Sequence, residues 1–109
     1  MINIVRQPYV VNPTPTDVVT VNVRDERVLS GIVKNTDGSQ TVDGVVLARA
    51  FQGDDEGQST FGDLAGIGPG EARPFTIRTD CFDELVFRFT ASGAGLTINL
   101  SLRGDGGRR

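Results

Sequence analysis

The chain has 109 residues and a formal charge of −3, from 11 Lys and Arg against 14 Asp and Glu, with one cysteine and no histidine. That length holds one domain around one core. The missing imidazole excludes Ser-His-Asp and Cys-His catalysis and most transition-metal sites, and the lone Cys81 has no internal disulfide partner.

The acidic balance gives no general field to attract nucleic acid, a local basic patch aside. With 14 Gly and 5 Pro, short elements joined by turns are favoured over long helices. No run approaches the roughly 18 apolar residues of a membrane span. The stretch "MINIVRQPYVV" lacks the long apolar region of a signal peptide, so the chain reads as cytosolic at synthesis.

In chain order, residues 1–17 stand apart. Pro8, Pro13 and Pro15 fix φ and remove backbone donors, so Asn12 to Thr16 should run extended and outside any central strand. Ile2, Ile4, Tyr9, Val10 and Val11 are nevertheless apolar, and an arm of this composition needs a surface to lie on. From Val18 the period becomes two: Val19, Val21 and Val23 share one face of a half-buried strand. In "VLSGIVKN" and "GVVLARAF" the apolar residues fall on both sides, which predicts strands covered on both faces. Asp37-Gly38 and Asp43-Gly44 read as turn dipeptides, and "FQGDDEGQST" as a surface loop or short edge strand.

The stretch "GDLAGIGPGEARPFTI" raises the question of a phosphate cradle. A cradle of that kind places its glycines between a strand and a helix, whereas here Pro74 and a strand-like alternation follow, so "IGPGE" reads as a hinge. "RPFTIRT" then points Phe75 and Ile77 inward. "ELVFRFTAS" buries Leu85, Phe87, Phe89 and Ala91, and "LTINLSLR" buries Leu96, Ile98, Leu100 and Leu102 while Thr97, Asn99, Ser101 and Arg103 stay wet. Ser92-Gly93-Ala94-Gly95 between them suggests a hairpin joining an antiparallel pair. Six or seven short strands without a helical period make the chain all-β. The expected domain is an antiparallel β-sandwich over residues 18–103, with an extended N-terminal arm over 1–17 and a flexible tail over 104–109.

Several motifs fall to plain readings. Asp54, Asp55, Glu56 and Asp63 offer oxygen ligands for a hard cation, but without EF-hand spacing they read as a solvated loop. Asp80, Asp83 and Glu84 surround Cys81 and would raise its thiol pKa, which suits a packing residue and not a nucleophile. Arg103-Gly104-Asp105 spells an integrin tripeptide and Asn99-Leu100-Ser101 a glycosylation sequon. Without a secretory signal, both read as parts of the last strand and tail.

The pieces "GIVKNTDGS", "VDGVVLARAF", "IGPGE", "ELVFRFTAS" and "LTINLSLR" follow an order that resembles immunoglobulin-like and fibronectin-like sandwiches, without their core tryptophan or paired cysteines. A small sandwich with an apolar arm and no catalytic residues also resembles bacteriophage virion accessory proteins of the head decoration or cement type. That resemblance implies a non-enzymatic structural protein without a cofactor, assembled into a virion in the host cytoplasm. It implies a homo-oligomer that binds a protein lattice such as a major capsid protein and neither nucleic acid nor membrane. On this reading the partner interface is Ile2, Ile4, Tyr9, Val10, Val11, Arg108 and Arg109. The alternatives are an immunoglobulin-like module for carbohydrate or a cell-surface protein, and a hydrolase using carboxylates alone.

Overall fold

Eight strands make up most of the computed structural model, which describes residues 2–51, 57–59, 64–79 and 82–107. In chain order they are β1 (Ile2–Val11), β2 (Thr16–Asn22), β3 (Val28–Asn35), β4 (Val42–Arg49), β5 (Gly57–Ser59), β6 (Ala72–Arg78), β7 (Glu84–Ala91) and β8 (Leu96–Gly104). No helix occurs among the described residues. A front sheet has the order β1-β8-β3-β6 and a back sheet the order β2-β7-β4-β5, with every neighbour antiparallel.

The expected antiparallel sandwich is therefore what forms, and its connectivity adds a detail. Strands pair first with last, second with seventh, third with sixth and fourth with fifth, as if one long hairpin had been rolled into two layers. This is jelly-roll winding. An immunoglobulin sandwich instead places its first strand beside its second.

Alternation supplies the core. Leu96, Ile98, Leu100 and Leu102 of the front sheet meet Leu85, Phe87, Phe89 and Ala91 of the back sheet, all buried in one apolar cluster with Leu29, Val33, Val46, Phe75 and Ile77. Two glycines make room for rings. A Cβ on Gly31 would clash with the Ser101 carbonyl and stand 2.8 Å from the Phe75 ring, and one on Gly44 would stand 2.5 Å from the Phe89 ring. The Phe75 and Phe87 rings then meet across the layers at 5.8 Å between centroids.

Four expectations need correction. First, β7 and β8 are not a hairpin: β7 pairs with β2 and β4, while β8 pairs with β1 and β3. Each carries an unbroken apolar face and takes an inner position in its own sheet, so Ser92 to Gly95 crosses the roughly 10 Å between packed sheets. Second, the N-terminal segment does not stand outside the sandwich. Ile2–Val11 is an edge strand along β8, and Val11 is fully buried. Its prolines do keep it off a central position, and Pro13 and Pro15 lie in the crossing to β2, where the Asn12 carbonyl accepts from the Ala91 amide at 2.9 Å.

Third, Asp43-Gly44 is no turn but part of β4, because Gly44 is needed under Phe89. Fourth, β3 is not covered on both sides: Leu29 and Val33 are buried, whereas Ile32 points away from the core and is 48% exposed. The start of the tail is also fastened. Asp105 Oδ1 accepts from the Arg27 and Val28 amides at 2.9 and 3.1 Å, and the Gly106 amide donates to the buried Glu26 carboxylate at 3.0 Å.

Candidate interaction face

Of the residues expected to meet a partner, Ile2 lies opposite Gly104 and Ile4 falls at a register shift between Asn3 and Val5, their side chains being outside the described residues. Tyr9 is half-buried against the core, and its hydroxyl accepts from Gln7 Nε2 at 2.7 Å. Val11 is consumed by the core, whereas Val10 turns outward and is 62% exposed. Arg108 and Arg109, the acidic residues Asp54, Asp55, Glu56 and Asp63, and Asp80 and Cys81 lie outside the described residues. The neighbours of Cys81 that are described form ion pairs: Asp83 with Arg24 at 3.9 Å and Glu84 with Arg49 at 3.2 Å.

The glycine-rich stretch is a hinge whose amides are already bonded. Gly66 donates to Asp43 Oδ1 at 2.7 Å, Gly68 to Glu71 Oε1 at 3.0 Å, and Gly70 to the Asn35 carbonyl at 3.0 Å. Gly66 and Gly70 take φ of 63° and 72°, the left-handed region that glycine tolerates. Ile67 is fully buried, and the buried Asn35 amide holds the turn by donating to the Ile67 and Gln40 carbonyls at 3.1 and 2.8 Å. The Gly68 amide and Arg73 together hold the Glu71 carboxyl below its ordinary range. Likewise Asp105, the last residue of the integrin-like tripeptide, is spent on backbone amides, and those of Val28 and Arg27 lower its pKa.

The outward side of the front sheet is open. Opposite Ser101 on β8 stand Arg6 on β1 and Ile32 on β3, and Pro74 on β6 follows Ile32 in the same row. The next row places Pro8, Asn99, Lys34 and Ala72 side by side. On the other flank Arg103, Ser30 and Thr76 align, with Val28 and Arg78 beyond. No Asp or Glu occupies these positions. The face holds four cations, Arg6, Lys34, Arg78 and Arg103, so the remainder of a chain of formal charge −3 carries −7. An open groove of about 670 Å³ runs over it, lined by Ile32, Pro74, Phe75, Ser30, Thr76 and Arg103 among others.

Sequence reasoning found the wet side of β8 but not the company it keeps. The alternation of Thr97, Asn99, Ser101 and Arg103 was the legible signal. Arg6, Lys34 and Ile32 join them only because β1 and β3 flank β8, a pairing across most of the chain's length.

No protein-family model matches the chain, and no curated protein matches it. Solved structures do match in shape. A chain of the Bacillus endospore appendages, described as disulfide-linked pili, has a TM-score of 0.57 and 16% identity over 90% of this chain and 78% of its own. A chain of the T13 IBDV viral particle has a TM-score of 0.57 and 12% identity, covering 93% of this chain and 29% of that one. The SPBc2 prophage-derived protein YomS has a TM-score of 0.54 and 8% identity over 91% of this chain and 94% of its own. At these identities the likeness shows the fold: a two-sheet sandwich shared by viral, prophage and pilus proteins.

Proposed function

We propose that this chain is a non-enzymatic structural component of a virion that attaches to a repeating protein lattice, with the outward side of the front sheet as its contact. The observation that carries this reading is that face itself, which combines exposed Val10 and Ile32 with Arg6 and Lys34 at neighbouring strand positions. Isolated exposed apolar residues mean little, but a groove with an apolar floor and a polar rim of Ser30, Thr76, Ser101 and Arg103 has the anatomy of a protein interface. Both edges of the front sheet carry a proline within the strand, Pro8 in β1 and Pro74 in β6, which discourages docking by strand addition and leaves the face. Jelly rolls serve many roles, capsid shells among them, so the fold supports this reading by analogy only.

The carbohydrate reading is weaker here, because no aromatic ring points outward from the front sheet among the described positions to stack on a sugar. The test is to co-produce the chain with a major capsid protein from the same genome and sediment the particles. Co-migration at a fixed ratio is expected, and a chain left at the top of the gradient would sink the proposal.

A further inference from the structure

The dipeptide Asp-Gly occurs three times, at Asp37-Gly38, Asp43-Gly44 and Asp105-Gly106, and the fold places the three in different surroundings. We propose that, of these pairs, Asp37-Gly38 is the modification site of the folded chain, converting spontaneously to an isoaspartyl linkage.

In this reaction the Gly38 nitrogen adds to Cγ of Asp37 and gives up its proton, while Oδ2 of the protonated carboxyl leaves as water. The succinimide ring then takes back one water. Opening at the former main-chain carbonyl leaves that group as the carboxylate and the chain running through Cγ, so water is the only other reactant.

The turn suits both halves of that step. Gly38 is exposed, has open space where a Cβ would stand, and its amide has no acceptor among the described residues. A glycine also brings no side chain to hinder its own nitrogen. Oδ1 of Asp37 accepts from the Ser39 and Gln40 amides at 2.8 and 2.9 Å, so two donors already stand where negative charge gathers as the nitrogen adds.

The other two pairs are held back. Gly44 lies within β4 with its amide donating to the Leu64 carbonyl at 2.8 Å, and Asp43 Oδ1 accepts from the Gly66 amide at 2.7 Å. Gly106 donates to the buried Glu26 carboxylate at 3.0 Å, while Asp105 Oδ1 is bonded to the Arg27 and Val28 amides. In each the attacking nitrogen must first leave its acceptor.

Conversion at Asp37 lengthens the backbone inside a turn that ties three loops together. The Gln40 carbonyl accepts from Asn35 Nδ2 at 2.8 Å, Gln40 Nε2 donates to the Ala94 carbonyl at 2.8 Å, and Asn35 Nδ2 also reaches the Ile67 carbonyl at 3.1 Å. That end of the sandwich should loosen.

The experiment incubates the whole chain in mild acid, about pH 5, where part of the carboxyl population is protonated. Isoaspartate is read by methyl transfer from S-adenosylmethionine with an isoaspartyl methyltransferase and located by peptide mapping. Label should accumulate at Asp37, preceded by a species lacking one water at the same pair, and Gly38→Val should abolish both. In denaturant, where the fold no longer distinguishes the pairs, label should spread to Asp43 and Asp105. Gly38→Ala, which should slow the reaction, replaces Gly38→Val if that variant melts early. Native label at Asp43 or Asp105 equal to that at Asp37, label at Asp37 untouched by the Gly38 variants, or no label at Asp37 in a chain that labels when unfolded overturns the inference.

Discussion

The two sheets share one core, yet their outward sides are built on opposite principles. On the back sheet, Arg88 is bonded to Asp17 and Arg49 to Glu84, and Leu47 and Val86, though on the outward side, are 5% and 0% exposed. On the front sheet no Asp or Glu stands at the outward strand positions among the described residues, and the apolar residues Ile32 and Val10 are wet. A side whose charges are paired and whose apolar groups are buried is complete within the chain. A side that leaves apolar groups exposed is the one the proposed partner would cover.

The largest effect should come from removing residues 1–12. β1 runs the length of β8 and places Val11 in the core, so the shortened chain should lose its cooperative thermal transition by circular dichroism. A transition near the full-length midpoint would return the segment to the role of a dispensable arm and strip the front face of Arg6 and Val10.

Next, one substitution on each outward side tests whether the contrast is real. Val86→Ser should cost about 2–4 kcal/mol in denaturant unfolding, because it leaves a void and a buried hydroxyl. Ile32→Ser should stay within about 0.5 kcal/mol, the usual range for an exposed site. Equal costs would mean that the front face is as closed as the back.

Smaller effects probe the glycines beneath each face. Gly31→Ala and Gly44→Ala should each cost about 1–3 kcal/mol, since the added methyl drives into Phe75 and Leu102 in one case and into Phe89 and Leu64 in the other. A neutral result at Gly31 would show that the front sheet yields where the back sheet does not.

The mildest perturbation is acid. Arg88 first lowers Asp17, the Ser39 and Gln40 amides lower Asp37, the Gly68 amide lowers Glu71, and the Val28 amide lowers Asp105. Each depressed carboxyl stabilises the fold fully above its ordinary value, 3.8 for Asp and 4.5 for Glu, and that contribution is lost as pH falls through the lower folded value. The melting midpoint should therefore hold down to about pH 5 and decline below about pH 4. Asp105→Asn should flatten the decline. A midpoint that rises on acidification would contradict the hydrogen bonds drawn to these carboxylates.

The sequence by itself determined the all-β class, the inward residues of β6, β7 and β8, the hinge reading of "IGPGE" and the turn at Asp37, whose carboxylate takes the Ser39 and Gln40 amides at 2.8 and 2.9 Å. These are local properties: alternation needs only neighbouring residues, and a turn is written in the residues that make it. Tertiary structure alone decided that β8 lies beside β1 and β3 and not beside β7, that "INIVRQPYVV" is an edge strand, and that Arg6, Ile32, Lys34 and Arg103 share a face. Two strands with equal apolar faces satisfy the same pattern as hairpin partners or as facing members of two sheets. The choice follows from closing one core with all eight strands, and that balance involves residues at opposite ends of the chain.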